Sequence, residues 1–411
     1  MSFFKELSPG SRIFVQGAAA TPQKLLEILT SESDDLRPLT LYHLHTEGRP
    51  PYLDSPKINN FYVKSFFVGS NLRPHMDGER FDYIPCFLSE VPLLFRKGII
   101  SLDAALIQVS PPDAHGYCSL GTSVDATRAA VDTARFVYAQ VNPQVPRTHG
   151  DTFIHVERIQ RFIELDEALP ETPAQSLGPQ EKKIGENVAE LVEEGATLQL
   201  GIGAVPQAVL RALGGHKNLG LHSEMWTDEV IPLIESGVIN NSKKAVHPGK
   251  SVATFINGTK KLFNYVHDHP GIALYEASYV NSPLVIMRNP KVVAINSAVE
   301  MDLTGQVCAD SVGSRIISGV GGQMDFFRAA ALSQGGKPIL AMTSRTKRGR
   351  SRLVSQLSPG AGVVTTRSHV HWVVTEYGSV NLVGKSLSER KRALIQIAHP
   401  EDRETLERSK L

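Results

Sequence analysis

Short apolar runs that favour β-strands alternate with helical patterns along the chain, and this alternation restricts the fold more than any other feature. Several runs have no polar face, which is typical of strands buried on both sides. The predicted strands lie at residues 12–16, 39–44, 104–110, 136–141, 196–200, 219–222, 252–256, 284–287, 292–295, 339–342, 363–366 and 372–375. Strands separated by helices predict an α/β protein with open parallel sheets.

The order of elements is repeated once. Residues 16–22 and 200–206 each follow a strand, pass through a glycine turn and reach a proline before a helix, and proline is favoured in the first turn of a helix. A proline-rich stretch without periodicity at 165–179 is typical of an interdomain linker. A chain of 411 residues is too long for one ordinary core. We therefore expect two similar α/β subdomains, residues 1–178 and 179–411.

Charge and composition exclude several classes of function. The 43 basic and 42 acidic residues give a formal net charge of +1, whereas nucleic-acid-binding proteins usually have a basic excess. No apolar run approaches the roughly 20 residues of a membrane helix, and the first residues do not resemble a signal peptide. Cys86, Cys118 and Cys308 are too few for a disulfide framework or a zinc site and fit a reducing compartment. We expect a cytoplasmic protein that binds neither nucleic acid nor membranes.

A glycine turn and a lone carboxylate follow two successive predicted strands. The strand 196–200 ends at Gly201 and Gly203, whose lack of side chains lets a ligand approach the backbone. The strand 219–222 is followed by a serine and then by Glu224. Most glutamates are solvated surface residues, but a carboxylate beside such a turn is suited to attack on an activated acyl group. Because ligands bind at the carboxyl ends of strands in open α/β sheets, Glu224 is a candidate catalytic residue.

A second glycine cluster lies at 318–326. Gly319, Gly321 and Gly322 precede a helix predicted to begin near Met324. Backbone N–H groups at such a helix start form a cradle for anions or amide-rich ligands, and a tight turn with close helix packing is the alternative interpretation. The cluster matches neither the dinucleotide fingerprint nor a P-loop. No nucleotide redox cofactor is therefore expected.

Two polar segments have both a structural and a functional interpretation. The basic residues at 347–352 form either a solvated surface loop or a segment that attracts a polyanionic cofactor. His149, Asp151 and His155 lack the usual spacing of metal ligands, and loop caps or core histidines explain them better. We expect no metal site.

Several motifs occur in the order seen in a known family. They lie at 109–113, 150–151, 199–204, 222–225, 257–260, 302–306, 318–326, 360–366, 374–378 and 397–400. In these motifs nearly the whole chain resembles the acetyl-CoA hydrolase/transferase family. The resemblance implies the class I CoA-transferase fold of two similar α/β subdomains, with the active site at their interface. It also implies that the first subdomain lines the acceptor-acid pocket, while the second carries the catalytic glutamate and binds coenzyme A.

The family's chemistry assigns roles to residues of this chain. The resemblance implies that Glu224 attacks a donor acyl-CoA to give an acyl-glutamyl anhydride, which CoA thiolate converts into a glutamyl-CoA thioester in a ping-pong mechanism. The residues implied near the thioester and the CoA arm are Gln199, Gly201, Gly203, Asn296, Gly319, Gly321, Gly322 and Gln323. Candidates for the acceptor pocket are Gly17, Glu47, Asn71 and Glu90.

The resulting hypothesis is a CoA-transferase, which the resemblance also implies to be a homo-oligomer. It would move CoA from acetyl-, succinyl- or butyryl-CoA to a small acid of the 4-hydroxybutyrate, butyrate or itaconate class. An acyl-CoA hydrolase is the first alternative, since both reactions share the intermediate and the exclusion of water decides between them. A non-catalytic CoA-sensing module is the second, and the presence of Glu224 disfavours it.

Overall fold

The computed structural model describes residues 2–410, which divide into two compact units. One unit comprises the chain up to Pro173 together with Val252–Val280, and the other comprises Ala174–Ser251 together with the chain from Asn281 onward. The predicted division after residue 178 places 252–280 in the second subdomain, whereas these residues pack in the first unit. Backbone hydrogen bonds explain the difference, because Val124 N–H donates to Thr254 O at 3.0 Å and Asp151 N–H donates to Leu274 O at 2.9 Å.

The first unit is built on a sheet of seven strands, all of them parallel. The strand Arg12–Val15 pairs with Leu39–His43 on one side and with Ala104–Val109 on the other. Every residue of Ala104–Val109 is buried, as its uninterrupted apolar run predicts. Across the sheet the strands are Phe81–Tyr83, Phe61–Ser65, Leu39–His43, Arg12–Val15, Ala104–Val109, Phe136–Val141 and Arg161–Glu164.

The second unit has a sheet of six strands, parallel except for its last pair. Its first strand, Thr197–Leu200, lies between Gly220–Leu221 and Val292–Asn296. The next strand along the chain pairs on one side of Thr197–Leu200, and a later strand pairs on the other side. The strands around Arg12–Val15 in the first unit are arranged in the same way. Across the sheet the strands are Gly220–Leu221, Thr197–Leu200, Val292–Asn296, Lys337–Ala341, Trp372–Thr375 and Gly378–Asn381.

The α-helices connect these strands, and no helix within residues 2–410 is long and apolar enough to cross a membrane. Those of the first unit are Gln23–Glu32, Val91–Arg96, Thr127–Thr133, Lys260–Val266 and Ala277–Val280. Those of the second unit are Pro179–Ala189, Ala204–Ala212, Ile231–Glu235, Pro283–Ile286, Gln323–Leu332, Leu387–Gln396 and Pro400–Arg408. Short strands outside the two sheets are Tyr117–Ser119, Phe153–His155, Met225–Trp226, Ser251–Ala253, Phe255–Ile256, Ile272–Leu274, Glu300–Asp302, Val307–Cys308, Ser311–Val312, Arg315–Ile316 and Leu353–Val354.

The parallel sheets confirm the predicted α/β fold, but two predicted strands are wrong. Residues 284–287 belong mostly to the helix Pro283–Ile286, where Pro283 occupies the first turn. A short apolar run does not distinguish a buried helix from a strand by its periodicity. Residues 363–366 form no regular strand and contribute only a bridge between Thr365 and Val307.

Candidate active site

In the second unit, the predicted catalytic and glycine residues gather at the carboxyl ends of the strands around its first strand. Gly201 directly follows Thr197–Leu200, and Asn296 ends the neighbouring strand Val292–Asn296. Glu224 follows the strand on the other side, Gly220–Leu221. The order of strands reverses at Thr197–Leu200, and open α/β sheets bind ligands in the crevice at such a switch point.

The short strand that leads to Glu224 is held by side chains as well as by the sheet. Asn241 Oδ1 accepts the N–H of Leu221 at 2.8 Å, and Lys244 Nζ donates to the carbonyl of Leu221 at 2.9 Å. Lys244 is buried, and this desolvation lowers the pKa of its ammonium group to about 7. Gly220 makes room for it, because a Cβ there would lie 2.6 Å from Lys244 Cγ.

Ser223, which precedes Glu224, has a positioning role rather than a chemical one. Its Oγ accepts the N–H of Leu200 at 3.1 Å and donates toward Met225 O, 2.7 Å away. The hydroxyl is fully buried. It therefore ties the backbone around Glu224 to the end of the strand Thr197–Leu200.

The carboxylate of Glu224 contacts two residues that come from distant parts of the second unit. Asn281 Nδ2 donates to Glu224 Oε2 at 2.9 Å. A Cβ at Gly322 would lie 2.0 Å from the same oxygen and 2.2 Å from Asn281 Nδ2, so only a hydrogen atom fits between them. The structure thus brings Glu224 and the second glycine cluster together. Asn281 is fully buried.

The second glycine cluster leads into the helix Gln323–Leu332, as its sequence predicts. Gly321 adopts φ +57° and Gly322 immediately precedes the helix. The side chain of Gln323 donates from Nε2 to Thr365 Oγ1 at 3.2 Å and is buried. This contact holds the first residue of the helix in place, and a role of Gln323 in binding CoA stays a prediction.

Gln199, Asn296 and the first glycine turn form a second group at the same edge. Asn296 Nδ2 donates to Gln199 Oε1 at 2.8 Å, and both amides are buried. Gly201 lies against this pair, since a Cβ there would be 3.2 Å from Asn296 Oδ1. Gly203 has φ +106° and precedes the helix Ala204–Ala212, a conformation that side chains rarely tolerate.

A recess opens beside this turn. It is small, with room for about one water molecule. Besides Gly201 and Gly203, its walls include the apolar side chains of Leu200, Pro206, Leu210, Met225 and Trp226. Met225 and Trp226 directly follow Glu224, so an apolar surface lies close to the candidate nucleophile along the chain.

In the first unit, three of the four predicted pocket residues lie together at the carboxyl ends of its strands. Gly17 lies against the backbone of His45, whose carbonyl would be 2.5 Å from a Cβ at that position. Asn71 Nδ2 donates to Thr46 O and to Gly48 O, both at 2.9 Å. Its side chain thus spans the segment that carries Glu47.

Glu90 lies on a different element from Gly17, Glu47 and Asn71. It belongs to the 3-10 turn Leu88–Glu90, where its side chain is exposed. His45, next to this group, has a lowered pKa because burial disfavours its charged form, and Glu47 opposes that shift. Among residues 2–410, no group of three or more His, Cys, Asp and Glu side chains could hold a metal ion.

Asn281 is a site residue that no sequence pattern indicates. It lies 57 residues after Glu224, in a segment between two short helices. Its one local signal is its position before Ser282 and Pro283, where a polar residue is ordinary turn composition. Only the folded chain shows that its amide meets the carboxylate.

The fold and the site define a doubly wound α/β protein with a carboxylate among glycine-rich turns. Comparison with known families identifies it further. The N-terminal domain model of acetyl-CoA hydrolase/transferase matches residues 3–172, and the C-terminal domain model matches residues 258–410. Glu224 lies in the segment between the two matched ranges.

Individual relatives cover that segment as well. A succinyl-CoA:acetate/propanoyl-CoA:succinate CoA transferase of Fasciola hepatica is 49% identical over 99% of this chain and 86% of its own length. A 4-hydroxybutyrate coenzyme A transferase of Clostridium kluyveri is 49% identical over 96% of this chain and 92% of its own. The crystal structure of RipA from Yersinia pestis superposes with a TM-score of 0.91 at 34% identity, covering 98% of this chain and 93% of that one.

Acetyl-CoA hydrolases are more distant relatives. That of Kluyveromyces lactis is 29% identical over 60% of this chain and 47% of its own length. The chain belongs to the acetyl-CoA hydrolase/transferase family, which confirms the resemblance seen in its motifs. Within that family it is an enzyme of the CoA-transferase class.

Proposed function

We propose that this enzyme transfers coenzyme A between two small carboxylic acids through a covalent intermediate on Glu224. The observation that carries the proposal is the contact of Glu224 Oε2 with Asn281 Nδ2 at 2.9 Å and with the backbone at Gly322. A carboxylate held by an amide donor at the carboxyl edge of a parallel sheet is oriented toward the place where such sheets bind ligands, as a nucleophile must be.

The reaction proceeds through two acyl exchanges. The carboxylate of Glu224 attacks the thioester carbonyl of the donor, and CoA leaves as thiolate from an acyl-glutamyl anhydride. The thiolate then attacks the glutamyl carbonyl, which releases the donor acid and forms a glutamyl-CoA thioester. The acceptor carboxylate repeats the sequence in reverse, so the free enzyme returns and acyl-CoA of the acceptor departs.

Each step develops negative charge on a carbonyl oxygen, which requires donors that are already in place. The backbone N–H groups of the first glycine turn, at Gly201 and Gly203, and those of the cluster Gly319, Gly321 and Gly322 supply candidates. Glycine at these positions leaves the backbone accessible to a bound thioester. The buried, hydrogen-bonded pair of Gln199 and Asn296 stabilises the first glycine turn, since Gly201 packs against Asn296.

Apolar side chains lie beside the first glycine turn, namely Leu200, Leu210, Met225 and Trp226. In the first unit, the group formed by Gly17, Glu47 and Asn71 is assigned to the acceptor acid, with Glu90 as a further candidate. Acetyl-, succinyl- or butyryl-CoA are the donors that we expect, with acceptors of the 4-hydroxybutyrate, butyrate or itaconate class.

The intact mass of the protein after incubation with acetyl-CoA, followed by borohydride, tests the proposal. Wild-type protein should show a CoA-dependent adduct that borohydride reduces at Glu224. The Glu224→Gln variant should show none, while the matched variant of an exposed glutamate, Glu235→Gln, should behave as wild type.

Three other outcomes would change the conclusion. Enzyme-dependent release of CoA in the presence of water alone, without an adduct and without an effect of added carboxylates, would indicate a hydrolase. An adduct that persists in Glu224→Gln would contradict the assignment of the nucleophile. If the enzyme neither transfers CoA from nor hydrolyses any acyl-CoA, the transferase reaction itself is contradicted.

A further inference from the structure

The basic segment noted in the sequence forms a tight hairpin turn in the second unit. Arg345 and Ser351 make an antiparallel bridge, and Thr346 N–H donates to Arg350 O at 2.8 Å. Thr346 Oγ1 also accepts the N–H of Arg350 at 3.1 Å, and Gly349 adopts φ +78° within the turn. These bonds give the segment a defined conformation rather than that of a loose surface loop.

Arginines on both sides of the hairpin anchor it to the unit. Arg345 binds Asp402 through two nitrogens, at 2.8 and 2.6 Å, and Glu401 through a third at 2.6 Å. Arg352 donates to Ala298 O at 2.9 Å and to Val299 O at 3.0 Å. Both nearby carboxylates at the helix Pro400–Arg408 are therefore occupied by Arg345.

The tip of the hairpin presents three cations to solvent. Lys347, Arg348 and Arg350 are exposed. Within residues 2–410, none of the three has a carboxylate oxygen within 4.0 Å of its charged nitrogens. Three like charges on one turn repel each other, so the turn is suited to an anionic partner.

The hairpin leaves the sheet at the edge that carries the candidate active site. It follows the strand Lys337–Ala341, which is parallel to Val292–Asn296 and places Leu340 beside Asn296. The residues that Arg352 binds, Ala298 and Val299, come shortly after Asn296 along the chain. Arg352, at the base of the hairpin, thus hydrogen-bonds to the segment that follows Asn296, and Asn296 belongs to the amide pair of the site.

We propose that Lys347, Arg348 and Arg350 bind the phosphate groups at the nucleotide end of coenzyme A. This inference rests on the proposed function, which places the thioester end of CoA at Glu224. A bound CoA must then leave the carboxyl edge of the sheet with its pyrophosphate and 3′-phosphate, and the hairpin offers exposed charges there. Arginine and lysine both bind phosphate oxygens well, arginine through its planar fork and lysine as a point charge.

Steady-state kinetics with two acyl donors test this assignment. Acetyl-CoA carries the nucleotide, whereas S-acetylpantetheine lacks it and keeps the thioester. In the Lys347→Ala/Arg348→Ala variant we expect the KM for acetyl-CoA to rise about tenfold at low ionic strength, with kcat nearly unchanged. The KM for S-acetylpantetheine should change by less than about twofold, because it has no phosphate for the turn to bind.

A matched control removes the same charge elsewhere in the second unit. Lys217 and Lys243 are exposed and flank Gly195, before the strand Thr197–Leu200 and so at the opposite edge of the sheet. Lys217→Ala/Lys243→Ala should leave both KM values as in wild type. Added salt should raise the wild-type KM for acetyl-CoA more steeply than that of the hairpin variant, because the wild type has more charge to screen.

An unchanged KM for acetyl-CoA in the hairpin variant would overturn the inference. So would an equal rise for both donors, or the same rise in the control variant. If the wild-type enzyme moves neither CoA from acetyl-CoA nor pantetheine from S-acetylpantetheine to an acceptor acid, the proposed function fails, and that result is independent of the hairpin.

Discussion

Replacing Gly322 with alanine tests whether the glycine cluster and Glu224 form one site. A Cβ at this position would lie 2.0 Å from Glu224 Oε2 and 2.2 Å from Asn281 Nδ2, whereas real Cβ atoms essentially never come within 3.0 Å of a neighbour. The carboxylate must therefore move by about 1 Å, and a misplacement of that size costs about 100-fold in rate. The bond from Asn281 breaks at the same time, and a hydrogen bond to a charged group contributes about 1.5–3 kcal/mol.

The assay is kcat for CoA transfer, measured beside thermal unfolding for Gly322→Ala and for a control, Gly214→Ala. Gly214 has nothing within 4 Å of the added Cβ and no positive φ. We expect Gly322→Ala to lose about two orders of magnitude in kcat and to keep a folded, cooperative unfolding transition, whereas Gly214→Ala should match wild type in kcat. A Gly322→Ala enzyme with wild-type kcat would refute the reasoning, because the carboxylate would then function from a different position.

Three other predictions address the residues around Glu224. Asn281→Asp places a second carboxylate against Glu224 and should move the acid limb of the kcat/KM pH profile upward by about 1–3 pH units, and an unmoved limb would argue against the contact. Ser223→Ala leaves the N–H of Leu200 without its acceptor and should lower the free energy of unfolding by about 1–3 kcal/mol, measured by urea denaturation, together with a lower kcat. Lys244 has a pKa of about 7 in the folded chain and an ordinary value of 10.5, so the unfolded state binds more protons between these values. Stability should therefore rise with pH across that window by up to about 1.4 kcal/mol per unit, and Lys244→Met should remove this rise in denaturation curves from pH 7 to 10.

The sequence was sufficient for features that depend on local pattern. Continuous apolar runs such as Ala104–Val109 identified central strands of the sheets, and glycines at Gly201 and Gly203 identified the turn after one of them. Motif order identified the family and, through it, Glu224 as the candidate nucleophile. The strands can be predicted without knowledge of the tertiary structure, because a parallel strand that is buried on both faces consists of a continuous apolar run.

Long-range and marginal features could not be predicted in this way. Asn281 meets Glu224 across 57 residues, and nothing in the local composition of either segment indicates the pairing. The apolar run at 284–287 satisfies a strand pattern, yet Pro283 starts a short helix there. Glu90 lies on the 3-10 turn Leu88–Glu90, a different element from those that carry Glu47 and Asn71, and its place in the acceptor pocket stays a prediction.

The assignment of Val252–Val280 to the first unit has a consequence for how this chain can be dissected. The backbone passes from one unit to the other at three points, so neither unit corresponds to a single continuous fragment. A truncated chain that begins after Pro173 would contain the inserted segment without the residues that pair with it, such as Val124 and Asp151. Asn281 is the first residue after the chain returns. Asn281, which contacts the candidate nucleophile Glu224, is thus bonded directly to the segment Val252–Val280 of the first unit. The folding of that segment and the positioning of Asn281 are therefore linked through the covalent chain.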